Sequence, residues 1–323
     1  MSASDLVSSI NNQTIARAVL KSNAVLQTHQ SIFASISGGA DSDIVVDLLE
    51  RIRYNQNIDY VFIDTGLEYK ATKEHLKLLE NKYQIKINSV KAIKSIPTCV
   101  KQYGVPFLSK QVSQNLYYLQ MHGFQYEDMD FESLQKKYQH CIGPLRWWCN
   151  AGESRQYNIE FNKYLKEFIM QYPPNFKISD KCCVYAKKKT SKSIEKPYDL
   201  KILGLRKCEG GVRSGSISSC YTESNTGIDL FRPIWWFSDA DKSEYEQIFD
   251  IQHSECYTKY GFVRTGCAGC PFNMNVFDDL DAVKQYEPNF YSAANNVFRK
   301  SYEYTKMYRE YRQKMEEKSR GND

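Results

Sequence analysis

The chain predicts an α/β fold in which a parallel sheet carries helices on both faces, with a helical insertion and a C-terminal helical extension. Three observations point there. Short β-prone runs alternate with segments of helical spacing, the connections between them are short, and glycine turns fall where a strand gives way to a helix. Residues 31–37 (SIFASIS) form the first run, and Gly38 and Gly39 break it. Over residues 43–54, Ile44, Leu48, Leu49 and Ile52 recur at the spacing of one helix face. Residues 59–64 (DYVFID) read as a second buried strand, ended by Thr65 and Gly66, and residues 69–83 return to helical spacing through Leu76, Leu79 and Tyr83. Residues 85–90 supply a third strand. In such a sheet ligands bind beyond the carboxyl ends of the strands, which is where the chemistry-bearing residues of this chain fall.

The rest is less regular. Helices are expected over 109–121 and 153–171, the second stopped by Pro173 and Pro174, so about residues 91–175 read as a helical insertion. Residues 200–205 form a late strand, and Trp235 with Trp236 falls in a further β-prone run. Ser238 with Asp241 marks a capping-box start, and 286–318 reads as a pair of helices interrupted near Pro288. The expected organisation is one α/β domain over residues 1–270, insertion included, followed by a helical extension over 271–323.

With 323 residues, 42% hydrophobic and 25% charged, the chain is long enough for a sizeable core, which excludes wholesale disorder and a fibre. No apolar run approaches the roughly 20 residues needed to cross a bilayer, and the first twenty residues lack a basic segment followed by an apolar one. A soluble, cytoplasmic protein is expected. In that reducing compartment ten cysteines ask for a metal or for catalysis rather than for disulfides. The net charge of +5 permits phosphate-bearing partners without requiring nucleic acid.

Ser37, Gly38, Gly39, Ala40, Asp41 and Ser42 lie where the first strand hands over to a helix. Backbone N–H groups and the helix N-terminus can converge there on an anion, glycine allows close approach, and the two serines add hydroxyl donors. Asp41 does not favour a bare phosphate, and suits holding the turn or orienting a metal-bound nucleotide. Two glycines alone would equally suit an ordinary βα turn; the six-residue string between strand and helix is more specific. It resembles the pyrophosphatase-loop, or adenine nucleotide alpha hydrolase-like, superfamily, whose turn reads Ser-Gly-Gly-any-Asp-Ser. Those enzymes split ATP between its α and β phosphates or bind an adenylylated sulfate. Asp64, Thr65 and Gly66 look like the family's second element, so the resemblance implies that they too lie beside the nucleotide, whose charge Mg²⁺ would help to neutralise. Ala40 departs from the pattern, since that slot often carries lysine in the ATP-using members.

Cys182 and Cys183 are adjacent, and 84 residues later Cys267 and Cys270 form a CxxC within RTGCAGCPF. Four thiolates from two segments can enclose one metal centre. An adjacent pair in a strand would point its side chains apart, which favours a larger iron–sulfur cluster over zinc, although thiolate softness suits both. With these residues the resemblance sharpens to the phosphoadenosine phosphosulfate (PAPS) and adenosine phosphosulfate (APS) reductase family, in a bacterial and phage-associated branch. Its cluster-containing members carry a Cys-Cys pair and a later CxxC that hold a 4Fe–4S cluster. Residues 103–106 (YGVP), Ser109, Lys110 and residues 264–266 (RTG) extend the likeness over most of the chain.

Gly204, Leu205, Arg206 and then Arg213 resemble the family's arginine segment that meets phosphate or sulfate, a task suited to the guanidinium fork. Residues 181–213 hold ten Lys or Arg against Glu195, Asp199 and Glu209, so the basic excess is local to this segment. Residues 187–196 read more simply as a solvated basic loop. Cys141, Cys149 and Cys208 are thiols worth testing, whereas Cys99, Cys220 and Cys256 carry no assigned role. Trp147 and Trp148 are candidates for stacking on a base, and Tyr302, Tyr304, Tyr308 and Tyr311 for an interface or a core cover.

A sulfonucleotide reductase needs a nucleophilic cysteine, supplied in the family near the C-terminus, and no cysteine follows Cys270 here. ATP cleavage to AMP and pyrophosphate is therefore the expected chemistry, adenylylating an acceptor that then receives sulfur, with Asp41, Arg206 and Arg213 as catalytic candidates. The acceptor would be a nucleic acid or a small molecule, with a sulfur- or electron-donor protein as partner. Two alternatives stand: a divergent APS or PAPS reductase forming sulfite, and a non-enzymatic nucleotide sensor or nucleic-acid-binding subunit.

Overall fold

The computed structural model describes residues 3–210, 217–225 and 227–320. The chain folds as two compact units, residues 1–93 with 187–268, and residues 94–186 with 269–323. Among the described residues no helix is long and apolar enough to cross a membrane.

The first unit holds the sheet. Helices α1 (Ala3–Ser8) and α2 (Gln13–Gln27) precede β1 (Ile32–Ile36), α3 (Ala40–Ile52), β2 (Ile58–Asp64), α4 (Lys70–Tyr83) and β3 (Ile87–Lys91). The chain later returns with β4 (Leu200–Leu203), β5 (Tyr221–Thr222) and β6 (Asp229–Phe231). The strand order is β3-β2-β1-β4-β6-β5, mostly parallel, with only β5 antiparallel to its neighbour. Ile32 of β1 is in register with Ile58 on one side and Leu200 on the other. Because the chain moves from β1 to β2 but later adds β4 on the opposite flank, the order reverses between β1 and β4. That reversal opens the ligand crevice of an α/β sheet at the ends of those two strands.

A central parallel strand is covered on both faces, which is why β1 is apolar apart from Ser35 and is almost wholly buried. Helix α3 is buried on nearly every side, Asp43 and Asp47 included. A buried carboxylate needs donors to replace water. Asp47 has three: Arg51 Nε at 2.6 Å, and the hydroxyls of Tyr83 and Tyr245, each at 2.8 Å. Burial, reinforced by the Asp47 charge, raises the pKa of both tyrosines, which keeps them protonated as donors.

The second unit is helical. Ser95, Ser109 and Asp130 cap the helices Ile96–Tyr103, Lys110–Met121 and Phe131–Lys137 through their side-chain oxygens. Phe107, Trp148, Phe168, Tyr304 and Tyr308 share its core. Trp147 and Trp148 are 3% and 0% exposed, so they pack inside rather than offer a face to a base. Tyr302, Tyr304 and Tyr308 are likewise buried, and Tyr311 packs against the same core.

Several boundaries differ from the sequence expectation. The helix expected over 153–171 is confined to Leu165–Gln171, preceded by 3₁₀ turns at Arg155–Tyr157 and Ile159–Phe161. Asn150 and Asn158 accept from the N–H groups of Glu160 and Gly152, and Tyr164 adopts a left-handed φ of 59°, so side chains and backbone both interrupt the helix. The strand expected over 200–205 ends at Leu203, where the Leu205 N–H turns back onto its carbonyl. Trp235 and Trp236 follow β6 in a turn, Trp235 buried and Trp236 exposed. The C-terminal break falls at Glu287, between Val276–Tyr286 and a single 33-residue helix, Pro288–Arg320, that proline opens rather than interrupts. Cys183–Lys189 is π-helical, so the cysteine pair lies at a helix start and not in a strand.

Candidate functional site

Gly38 has a φ of 70°, and a Cβ there would stand 2.7 Å from Thr72 Cγ2, so both conformation and space demand glycine. The Gly39 carbonyl gathers the start of α3, accepting from the Ser42 and Asp43 N–H groups at 2.8 and 3.1 Å and from Ser42 Oγ at 2.7 Å. Ser37 Oγ accepts from the Gly39 N–H at 3.3 Å and lies 3.4 Å from Ser42 Oγ. The Ala40 N–H, first in the helix, donates to the Tyr257 hydroxyl at 3.1 Å.

Asp41 sits between two cations. Arg206 Nε reaches both of its oxygens at 3.1 Å, and Lys242 Nζ lies 2.9 Å away. Two cations therefore share the carboxylate next to Ala40. Arg206 also donates to Asp239 at 2.8 Å. Burial alone would weaken its charge, but Asp239 and Asp41 outweigh burial and hold its pKa above the ordinary value. Gly204 makes this approach possible, because a Cβ there would lie 3.1 Å from the Asp41 carbonyl oxygen. Arg213 lies outside the described residues.

At the end of β2, Asp64 accepts from the Gly66 N–H at 2.9 Å and from Lys73 at 3.3 Å, and Gly66 has a φ of 80°. Thr65 is buried, with its N–H and hydroxyl on Glu68 at 3.2 and 2.5 Å. Burial raises the Glu68 pKa against the pull of Thr65 and Lys187.

Behind the turn, His253 bridges Asp43 at 2.8 Å and Glu246 at 2.9 Å, and His75 Nε2 lies 3.0 Å from the other Asp43 oxygen. Burial alone would lower the His253 pKa. The two carboxylates outweigh it and hold the ring up at about 9. Lys242, His253 and Tyr257 escaped the sequence reading, and Thr265 was read only as part of the RTG ahead of the CxxC; the only signal for Lys242 was its place in the helix Asp239–Phe249 that the Ser238 capping box starts.

The thiol candidates are differently placed. Burial pushes Cys141 up to about 11 and raises Cys149 as well. Cys208 is exposed, its sulfur 3.1 Å from Arg206 Nη1, and partial burial raises its pKa against the Arg206 charge. Of the four cysteines expected to hold a centre, Cys182, Cys183 and Cys270 belong to the second unit and Cys267 to the first. The donor set, four soft thiols, suits an iron–sulfur cluster or zinc. The CxxC turn suits it too: Gly269 has a φ of 63°, and the Tyr302 hydroxyl donates to its carbonyl. Among the described residues no three His, Cys, Asp or Glu side chains are grouped to hold a metal ion.

Residues 31–117 match the model of the phosphoadenosine phosphosulfate reductase domain. Two uncharacterized proteins of Methanocaldococcus jannaschii are similar, one 34% identical over 26% of this chain and 17% of its own length, the other 23% identical over 84% and 48%. The chain thus spans about half or less of the curated relatives it matches. Three solved structures overlap it at 12–13% identity. They are a phosphate complex of PAPS reductase from Candida auris (TM-score 0.44, 82% of this chain and 93% of that one) and the U34-tRNA thiolase NcsA from Methanococcus maripaludis with its 4Fe–4S cluster (0.38, 92% and 79%). The third is an NH₃-dependent NAD synthetase from Campylobacter jejuni (0.34, 90% and 95%). At these scores the three carry no weight for function.

Proposed function

We propose that this chain, whose residues 31–117 match the phosphoadenosine phosphosulfate reductase domain, has an adenine nucleotide alpha hydrolase-like fold, cleaves ATP to AMP and pyrophosphate and adenylylates an acceptor. The observation that carries the reading is the turn at residues 37–42, which opens a 13-residue helix inside the matched domain, with Arg206 and Lys242 converging on Asp41. An acceptor oxygen would attack the α phosphorus, the bond to the α–β bridging oxygen would break, and pyrophosphate would leave. The helix N-terminus and the turn's hydroxyls suit the leaving group. Arg206 and Lys242, tied to Asp41, offset its negative charge where phosphates collect; Asp41 acts as a positioning residue for both cations. Mg²⁺, when bound with the nucleotide, would neutralise phosphate charge, and Asp64 is the carboxylate at the neighbouring strand end. Arg213 extends this basic set by sequence alone. Cys182, Cys183, Cys267 and Cys270 would hold a 4Fe–4S cluster that supplies sulfur or stabilises the fold, in a reducing cytoplasm and alongside a sulfur- or electron-donor partner.

A second reading, sulfonucleotide reduction, is favoured by one observation: the Cys208 sulfur stands beside Arg206 at the nucleotide turn. Its raised pKa argues the other way, since the thiolate is the nucleophile. Parallel incubations of anaerobically prepared protein with ATP, APS and PAPS separate the two. The ATP reading expects pyrophosphate from ATP, undiminished in Cys208→Ser. Sulfite from APS or PAPS, lost in that variant, would replace it with the reductase reading.

A further inference from the structure

The Tyr257 hydroxyl stands over the first turn of α3. It accepts from the Ala40 N–H at 3.1 Å and from the Thr265 N–H at 3.2 Å, and it shares a hydrogen bond with Thr265 Oγ1 at 2.7 Å. A phenol has one proton and two lone pairs, so these contacts saturate it. Gly39 is fitted to the same pair: a Cβ on it would lie 2.8 Å from Thr265 Oγ1 and 3.2 Å from the Tyr257 oxygen. The segment is anchored from below. Cys256 is fully buried with its sulfur 3.7 Å from Thr72 Oγ1, and Phe262 packs on Tyr69 with ring centres 5.3 Å apart. Arg264 pairs with Glu209 at 3.0 Å.

The Ala40 N–H is the donor that a phosphate oxygen seated at this helix N-terminus would take. We propose that Tyr257 competes with the nucleotide for that donor, so that phosphate binding displaces its hydroxyl and releases Thr265, two residues ahead of the CxxC. This rests on the nucleotide reading of the turn and adds a residue that none of the motifs contains. No covalent step is involved: the Ala40 N–H exchanges a neutral oxygen for a charged one, a stronger acceptor. Thr265 loses a partner for both its N–H and its hydroxyl. Occupancy of the nucleotide turn is thereby coupled to the backbone that leads into Cys267.

The test uses the full chain with Mg²⁺–ATP and, separately, inorganic pyrophosphate, read by titration calorimetry and by amide hydrogen exchange at Thr265. Tyr257→Phe keeps the ring and removes the competitor, so both ligands bind about three- to tenfold more tightly, the scale of one neutral hydrogen bond. In wild type, ATP speeds exchange at Thr265; in Tyr257→Phe exchange is fast with or without it. Thr265→Val, which deletes the hydroxyl that fixes Tyr257, moves affinity in the same direction and serves if Tyr257→Phe does not fold. Binding by wild type with unchanged or weaker binding by the variants overturns the proposal and leaves the nucleotide reading intact. If wild type binds neither ligand, both fall.

Discussion

His253 shows how single residues set the chemistry behind the turn. Its folded pKa of about 9 exceeds the ordinary 6.5, so the stability it contributes is complete below about pH 6.5 and is lost as pH rises through 9. The groups facing it are Asp43 from α3, Glu246 from the helix Asp239–Phe249 and the ring of Tyr257, while Lys242 lies against Glu246 and His75 from α4 against Asp43. Thermal unfolding followed from pH 6 to 9.5 should show wild type losing stability toward the alkaline end, with His253→Gln giving a flatter curve. Identical curves would mean that the imidazolium does not bridge Asp43 and Glu246. Single residues also mark where the sequence was readable. Gly38 and Gly39 were legible because a turn between strand and helix demands them locally. The contact of Tyr257 and Thr265 with that turn was not, because more than two hundred residues separate them from it and only tertiary packing brings them there.

Among the elements, the close approach of β4 to α3 positions the site. Gly204 follows β4 and eases that contact, since a Cβ there would stand tightly, at 3.1 Å, against the Asp41 carbonyl oxygen. Gly204→Ala should push the two apart by a few tenths of an ångström, cost about 1–2 kcal/mol of stability, and weaken ATP binding on the order of tenfold through misplacement of Arg206. Calorimetric titration alongside denaturant unfolding measures both; unchanged ATP affinity would remove the β4 contact from the site's construction. The strand–helix alternation over residues 31–91 was legible because buried parallel strands and amphipathic helices have distinct periods. The stretch 153–171 was not, since Asn150 and Asn158 satisfy backbone groups that the periodic pattern assigned to a helix.

The molecule as a whole combines a sheet unit that carries the turn proposed to bind nucleotide with a helical unit that carries three of the four cysteines proposed as ligands. A metal assay tests that division. Anaerobically prepared protein should contain on the order of four iron and four sulfide per chain, and Cys182→Ser or Cys267→Ser should each lower that content. Stoichiometric zinc without sulfide would replace the cluster with a zinc centre. The pairing of a Cys-Cys with a distant CxxC was visible in sequence, but the π-helical setting of the pair was not, because adjacency alone does not distinguish a strand from a helix start. ATP cleavage is tested by following the label from α-³²P-ATP given to the anaerobic protein with Mg²⁺ and candidate acceptors. Labelled AMP or an AMP-bearing acceptor matched by pyrophosphate is expected, abolished in Gly39→Val, whose side chain would clash with Thr265 and Tyr257. Intact ATP together with sulfite release from APS or PAPS would contradict it.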